Sequence, residues 1–350
     1  MRQSHGSERC WAASAPAKVI LLGEHAVNRG QPALAAAVGP RATCVVSQRD
    51  DDLVVLTSGA QRAAYRRDEL ADLREAVDGW RAANDTAAIR RLVRSDFFAP
   101  TRYVLSLFLH TANLPGLEIT WRSEIAVGSG LGSGAAANAA LIVALCRAAG
   151  TTLAAAERAR LAWQGDILAH GGIASGLDSS AVTFGRVVRY TVAEGAQALA
   201  LPPTAALPLV IGDTGVRAIT AEVNSRVSAW LAARPADEAF FPAIGGLVAQ
   251  ALAALQAGDM AGLGRAMDGN QAMLRQIGVS SPEIEQLIAA AHSAGALGAK
   301  LAGSGGGGIV LALATPGGQE AIAAAITAAG GRAIIAEAAV QGARDEAAPL

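Results

Sequence analysis

Cysteine is scarce in this chain of 350 residues: Cys10, Cys44 and Cys146 stand far apart and odd in number. That disfavours a disulfide framework and fits a reducing compartment. Net charge is missing as well. Lys and Arg number 29 against 30 Asp and Glu, leaving −1, which gives no electrostatic footprint for nucleic acid or an anionic membrane. No run reaches the roughly 18 uninterrupted apolar residues of a membrane span, and the opening MRQSHGSERCWAAS lacks the apolar core of a signal peptide. Together these absences predict a soluble, cytoplasmic protein with neither nucleic-acid nor membrane partners.

What the sequence does have is apolar mass. At 52% apolar and 17% charged residues it can bury ample core, and its length allows two domains. Gly128, Gly130, Gly132 and Gly134 crowd together between a short apolar run and an alanine-rich stretch, residues 135–149, of high helix propensity. Glycine lets backbone N–H groups approach a ligand closely and adopt φ > 0. A helix starting behind such glycines turns its unpaired N–H groups and positive dipole end to the same point, so the stretch predicts a phosphate site. A glycine-rich turn ahead of a buried helix is the plain alternative. No lysine follows, as a Walker A loop requires. The loop also comes too late in the chain for a dinucleotide fingerprint, which sits in the first βα turn. A second cluster, residues 303–308, matches G-x-G-x-x-G in form but runs into residues 309–313, a strand by composition and not the required helix.

Around these loops the elements are mixed β and α. Residues 1–14 read as a loose polar leader. Residues 19–22 predict a strand, followed by a Gly23 turn and then, past Gly30 and Pro32, a helix or second apolar segment. Lys18, Glu24 and His25 interrupt that apolar sequence. Lys18 fits a solvated strand end as readily as a site, whereas polar groups at a strand-to-turn boundary are where sites are usually built. Residues 43–46 and 53–56 predict short strands, a hairpin about residues 49–51, and the charged stretch 62–96 predicts surface helices. Residues 153–170 are helical by pattern and set Asp166 and His170 on one face. Gly171 and Gly172 stop that helix, and residues 173–180 predict a small-residue loop holding one carboxylate, Asp178. Proline and alanine at 202–207 mark a boundary between halves. The expected division is a leader at 1–14, an N-terminal domain at 15–202 and a C-terminal domain at 203–342.

Three separated segments, PAKVILLGEHAVNRGQPALA (16–35), GSGLGSGAAANAA (128–140) and GAKLAGSGGGGIVLAL (298–313), resemble the GHMP kinases, small-molecule kinases whose glycine loop is unlike Walker A. Within them GEHAV at 23–27 is similar to the mevalonate kinase family. So are HGGIASGLDSSAVTFG (170–185), GDTGVRAIT (212–220) and the run beginning GNQAMLRQIGVSSPEIEQL (269–287). The resemblance implies an α+β, two-domain GHMP kinase fold: a ribosomal-protein-S5-like N-terminal domain and a ferredoxin-like α/β C-terminal domain. It implies ATP-dependent phosphorylation of the 5-hydroxyl of (R)-mevalonate, giving 5-phosphomevalonate and ADP, in isoprenoid biosynthesis.

The resemblance also assigns roles. ATP would lie on Gly128, Ser129, Gly130, Leu131, Gly132, Ser133, Gly134 and Ala135, with Gly303, Ser304 and Gly305 also assigned to its site. Asp178 would take the proton of the substrate hydroxyl, whose oxygen attacks the γ-phosphorus. Lys18 would stand beside Asp178 and offset negative charge in transfer, and Glu24, His25, Lys18 and Thr214 would serve the mevalonate site. Two departures stand out. The family's Ser-Ser in the glycine loop is Ser133-Gly134 here, and its metal-holding glutamate is Asp166, one methylene shorter. Mg²⁺ wants octahedral oxygen at about 2.0–2.1 Å but keeps several waters, so Asp166, phosphates and water are expected to hold it, with Ser133 assisting. Alternatives are a phosphomevalonate kinase, which would want more basic residues near the site, and a non-catalytic nucleotide or metabolite binder. The presence of both Lys18 and Asp178 speaks against the second. A homodimer is left open by the apolar dimer faces common in the family.

Overall fold

The computed structural model describes residues 9–347 apart from 113, 127, 173, 203–206, 218–219 and 235–237. Two long antiparallel strands, β1 (Cys10–Leu22) and β2 (Ala33–Arg49), form its spine. The chain reverses between them through Gly23 and a short 3-10 turn, Val27–Arg29, closed by Gly30 at φ 78°. Both strands are rich in buried alanine: Ala13, Ala15 and Ala17 on one, Ala35, Ala36 and Ala37 on the other. Alanine is a weak strand former, which is why the start of β2 is open between a helix and a second apolar segment in sequence. Sheet partners on both sides of β2 override that propensity.

The remaining strands of this sheet are β3 (Val54–Ser58), β4 (Gln61–Tyr65), β5 (Gly116–Ser123), β6 (Val187–Thr191), β7 (Gly195–Ala198) and β12 (Arg344–Glu346). Their order is β12-β1-β2-β5-β3-β4, with β6 on β2 and β7 on β6. The hairpin expected about residues 49–51 does not form. β5 enters between its two arms, antiparallel to β2 and parallel to β3. Gly116 permits the entry, since a Cβ there would stand 1.9 Å from the Asp51 carbonyl oxygen. The leader is corrected too: residues 10–14 belong to β1, paired with β2 on one side and β12 on the other. Ser14, polar by type, is buried between Arg41 Nε, which donates to it at 2.7 Å, and Glu346, to which it donates at 2.6 Å. Residues 1–8 lie outside the described residues.

Helices cover this sheet. The charged stretch 62–96 forms β4 and then α1 (Arg67–Ala82) and α2 (Thr86–Ser95), the latter capped by Asp85, which accepts from Ala88 N at 2.9 Å. After α3 (Ala99–Leu109), α4 (Ser133–Ala148) lies across β1 and β2 and is buried along most of its length. Small residues on sheet and helix alike let the two backbones approach closely. α5 (Ala155–Ala169) and α6 (Leu177–Phe184) pack beside α4.

The second sheet holds β8 (Leu209–Asp213), β9 (Gly298–Ala302), β10 (Ile309–Leu313) and β11 (Arg332–Ala336) in the order β11-β8-β10-β9, every pair antiparallel. Fourth, first, third, second is the split βαβ arrangement of a ferredoxin-like domain. Between β8 and β9 run α7 (Thr220–Ala232), α8 (Phe240–Ala257), α9 (Met260–Gln276) and α10 (Pro282–Ser293); α11 (Gln319–Ala328) joins β10 to β11. The boundary expected at 203 falls on residues outside those described. α8 is the one helix among the described residues long and apolar enough to cross a membrane. Here it buries Phe241, Ile244, Val248, Ala251 and Leu255 within the fold.

Candidate active site

Near the middle of β1, Lys18 leaves the apolar alternation. Its backbone N–H donates to the Leu131 carbonyl at 3.0 Å, hooking the glycine loop onto the strand. Its ammonium is buried and meets Asp178 Oδ2 at 2.9 Å. Asp178 does not sit in a loop, as the small residues around it suggest, but in the first turn of α6. Gly176, left-handed at φ 90°, starts that helix, and Ser180 N returns a hydrogen bond to Gly176 O at 3.1 Å. Two aromatic straps fix the approach: Trp163 Nε1 donates to Ala174 O at 2.8 Å, and the Tyr190 hydroxyl donates to Ser175 O. A Cβ on Gly176 would stand 2.7 Å from that hydroxyl. Residue 173 of the expected loop lies outside the described residues.

Opposite, Gly128, Gly130 and Gly132 take φ of 73°, 80° and 76°, and Gly132 opens α4. A Cβ at Gly132 would come within 2.9 Å of Lys18 Cγ, so loop and lysine can touch only because this residue has no side chain. The loop offers a ligand its backbone more than its side chains. The Ser129 hydroxyl turns back to Ala126 O at 2.7 Å, and Leu131 and Ala135 are buried. Ser133, at the first helical position, keeps a partly exposed hydroxyl, while Gly134 is exposed with open space where a side chain would stand. Three left-handed glycines stand ahead of a sixteen-residue helix, whose first N–H groups have no partner within the helix.

Asp166, near the end of α5, is buried beside this pair. Ser179, next to Asp178 on α6, donates its hydroxyl to Asp166 Oδ2. His170 donates from Nδ1 to the Asp166 carbonyl at 2.8 Å, the role of a helix-end residue. Burial pushes the Asp166 carboxyl up to about 6; the Asp178 charge adds to this, while His170, Ser179 and Lys18 oppose it. A cation placed here would reverse that balance. No group of three or more His, Cys, Asp or Glu gathers among the described residues, so a metal would need oxygens from a phosphate ligand as well.

The second glycine cluster and the Gly23 turn meet across the seam between the sheets. Gly23 N donates to Asn270 Oδ1 of α9 at 3.2 Å. Glu24 is ion-paired with Lys300 of β9, both fully buried. His25, left-handed at φ 60°, donates from Nε2 to the Ser304 carbonyl at 2.9 Å. Burial lowers the His25 imidazole to about 4, with Arg29 and Lys300 adding to this, so it is neutral at pH 7. Burial likewise pulls the Lys300 ammonium down, against the pull of Glu24. Glu24 Oε2 and Asn270 Nδ2 are buried without a partner among the described residues. Gly130 lies against Ala302 and Ile309, which brings the two glycine clusters face to face. Thr214, assigned to the mevalonate site, donates its hydroxyl to the Gly308 carbonyl at 2.8 Å. Arg217 reaches from Asp213 to the Gly128 carbonyl at 3.2 Å.

Residue-type reasoning alone had no hold on Lys300, Asn270, Arg217 or Ser179. The signal for Lys300 was present, a single lysine within the apolar and glycine-rich GAKLAG. That for Ser179 was weak, one small residue among several.

Two family patterns match the chain in order, the GHMP kinases N terminal domain over residues 100–186 and the GHMP kinases C terminal over 251–332. The chain is 34% identical over 313 residues to the mevalonate kinase of Pyrococcus horikoshii, covering 86% of this chain and 87% of that one. It is 33% identical over 304 residues to that of Aeropyrum pernix, covering 87% and 88%. The crystal structure of L. major mevalonate kinase in complex with R-mevalonate superposes with a TM-score of 0.71 at 27% identity, covering 94% of each chain. A lysine–aspartate pair under a left-handed glycine loop, a ferredoxin-like second sheet and relatives of this identity along nearly the whole length converge: the chain belongs to the GHMP kinases, among the mevalonate kinases.

Proposed function

We propose that this mevalonate kinase transfers the γ-phosphoryl group of ATP to the 5-hydroxyl of (R)-mevalonate at the Lys18–Asp178 pair. The observation that carries the assignment is their 2.9 Å contact directly beneath Gly132. The phosphates lie on the backbone N–H groups from Gly128 to Ala135 and at the start of α4, with Gly303, Ser304 and Gly305 closing the nucleotide site from the facing domain. Asp178 accepts the hydroxyl proton as the oxygen attacks phosphorus. Lys18, anchored by its own backbone and by Asp178, holds its ammonium where negative charge moves from the γ-phosphate to the leaving ADP. Because such transition states are loose, placement and charge matter more than base strength. Glu24 and His25 shape the mevalonate side of the seam, and Thr214 holds the second glycine cluster that borders it.

The chain's oxygens suit Mg²⁺: a buried carboxylate at Asp166 next to the Lys18–Asp178 pair, and the Ser133 hydroxyl at the helix start, both hard oxygen donors. Bound with ATP, the ion neutralises phosphate charge. We place the enzyme in the cytoplasm, divide it at about residue 203 and leave a homodimer as the arrangement to test by sedimentation. The decisive experiment is a coupled ADP assay with mevalonate and with its 5-phosphate as substrates. Turnover of mevalonate alone, abolished in Asp178→Asn, supports the proposal. Turnover of the 5-phosphate alone makes the chain a phosphomevalonate kinase, and ATP binding with neither turnover makes it a binder.

A further inference from the structure

Asp178 and Ser179 are consecutive on the first turn of α6, so their side chains leave the helix about 100° apart. One meets the Lys18 ammonium; the other, fully buried, meets Asp166 Oδ2 on the neighbouring helix. A single helical turn is thereby tied to the strand that carries the cation and to the helix that carries the second acid. Asp166 is one methylene shorter than glutamate, and Gly134 brings no hydroxyl to the site. The metal end of this active site thus has less reach and fewer oxygens of its own. We propose that Ser179 is a positioning residue for the divalent metal that accompanies ATP. Its hydroxyl occupies Asp166 Oδ2 and leaves Oδ1 as the single oxygen for the metal.

The physical case has three parts. A carboxylate with one oxygen held by a donor cannot chelate through both, and Mg²⁺ favours one-oxygen, octahedral ligation. The hydroxyl freezes a side chain that otherwise enters the site in several rotamers, as outer partners of metal ligands generally do. The bond also sits where water cannot replace it, since Ser179 is fully buried and Asp166 nearly so. Because Ser179 shares its turn with Asp178, a metal ligand that shifts tugs on the proton acceptor. Metal placement and base placement are mechanically one unit.

The inference rests on Asp166 being a metal ligand, and the test separates the two. Mn²⁺ is titrated into the enzyme with ADP and followed by electron paramagnetic resonance, alongside the KM for mevalonate and thermal unfolding. Ser179→Ala is expected to weaken Mn²⁺ binding about tenfold, the lower range for loss of an outer partner, with the KM for mevalonate unchanged. Ser179→Thr, which keeps the hydroxyl, is expected to restore binding. In an Asp166→Asn background, Ser179→Ala is expected to add nothing, because the two act through one contact. Ser179→Cys, of similar size, serves if the alanine variant does not fold. Unchanged Mn²⁺ affinity in Ser179→Ala, with Asp166→Asn weakened, overturns the positioning role and leaves the ligand in place. Unchanged affinity in Asp166→Asn overturns the ligand assignment and the inference together.

Discussion

At the scale of the residue, the proposed chemistry is concentrated in the pair Lys18 and Asp178. Replacing Asp178 by Asn or Lys18 by Met is expected to lower kcat by about 10²–10⁴, the span typical of positioned acid–base groups. The check is steady-state turnover beside a circular-dichroism spectrum that shows the fold intact. His25 gives a second expectation, in pH. Its folded pKa of about 4 lies below the ordinary 6.5, so between these values the unfolded chain binds a proton that the folded one refuses. The contribution to stability is therefore complete above pH 6.5 and is lost as pH falls toward 4, by at most about 1.4 kcal/mol per pH unit. Asp166, raised to about 6, runs the other way: its burden at neutral pH is relieved as pH falls. Urea unfolding of the parent and of His25→Asn at pH 7 and pH 5 isolates the histidine. The variant should lose less stability on acidification, and equal losses would refute the assignment.

At the scale of the element, the same glycine loop holds one intolerant position and one tolerant one. Gly132 is left-handed and abuts Lys18, so Gly132→Ala is expected to cost about 1–3 kcal/mol in stability and to depress turnover with it. Gly134 is already helical with open space around it, so Gly134→Ala is expected to be neutral or to stabilise α4 by up to about 1 kcal/mol. Thermal melts of the two variants decide both. The loop was legible in sequence because closely spaced glycines mark a turn that other residues resist, and the alanine run behind them marks a helix. The start of β2 was not, since its alanines favour helix and only the neighbouring strands hold it extended. Nor was the insertion of β5 between β2 and β3, which depends on pairing across a separation that no local pattern encodes. The first turn of α6 was hidden by Ser175 and Gly176, whose loop-like composition conceals the two aromatic straps that organise it.

At the scale of the whole molecule, the two sheets are joined where the Gly23 turn meets α9, β9 and the second glycine cluster. The Glu24–Lys300 pair is the charged part of that joint, and both members are sealed from solvent. Lys300→Met is expected to cost about 3–5 kcal/mol by leaving Glu24 buried and uncompensated, whereas the double change Lys300→Met with Glu24→Gln should recover much of the loss. Chemical unfolding of the parent, both single variants and the double variant closes the cycle. Glu24 stands out in the sequence beside Gly23, but its partner does not, since a lone lysine late in the chain gives no hint of which acid it faces.

β12 flanks β1, the strand that bears Lys18, although the two segments are almost the full length of the polypeptide apart. A ribosome makes the strand that bears Lys18 well before its outer neighbour. Until β12 is made, the edge at residues 12–14 stays bare, an open template for another nascent chain. Closing it is a long-range pairing, which is slow by nature. The newborn chain therefore forms the strand that carries Lys18 before the outer edge of residues 12–14 can be covered.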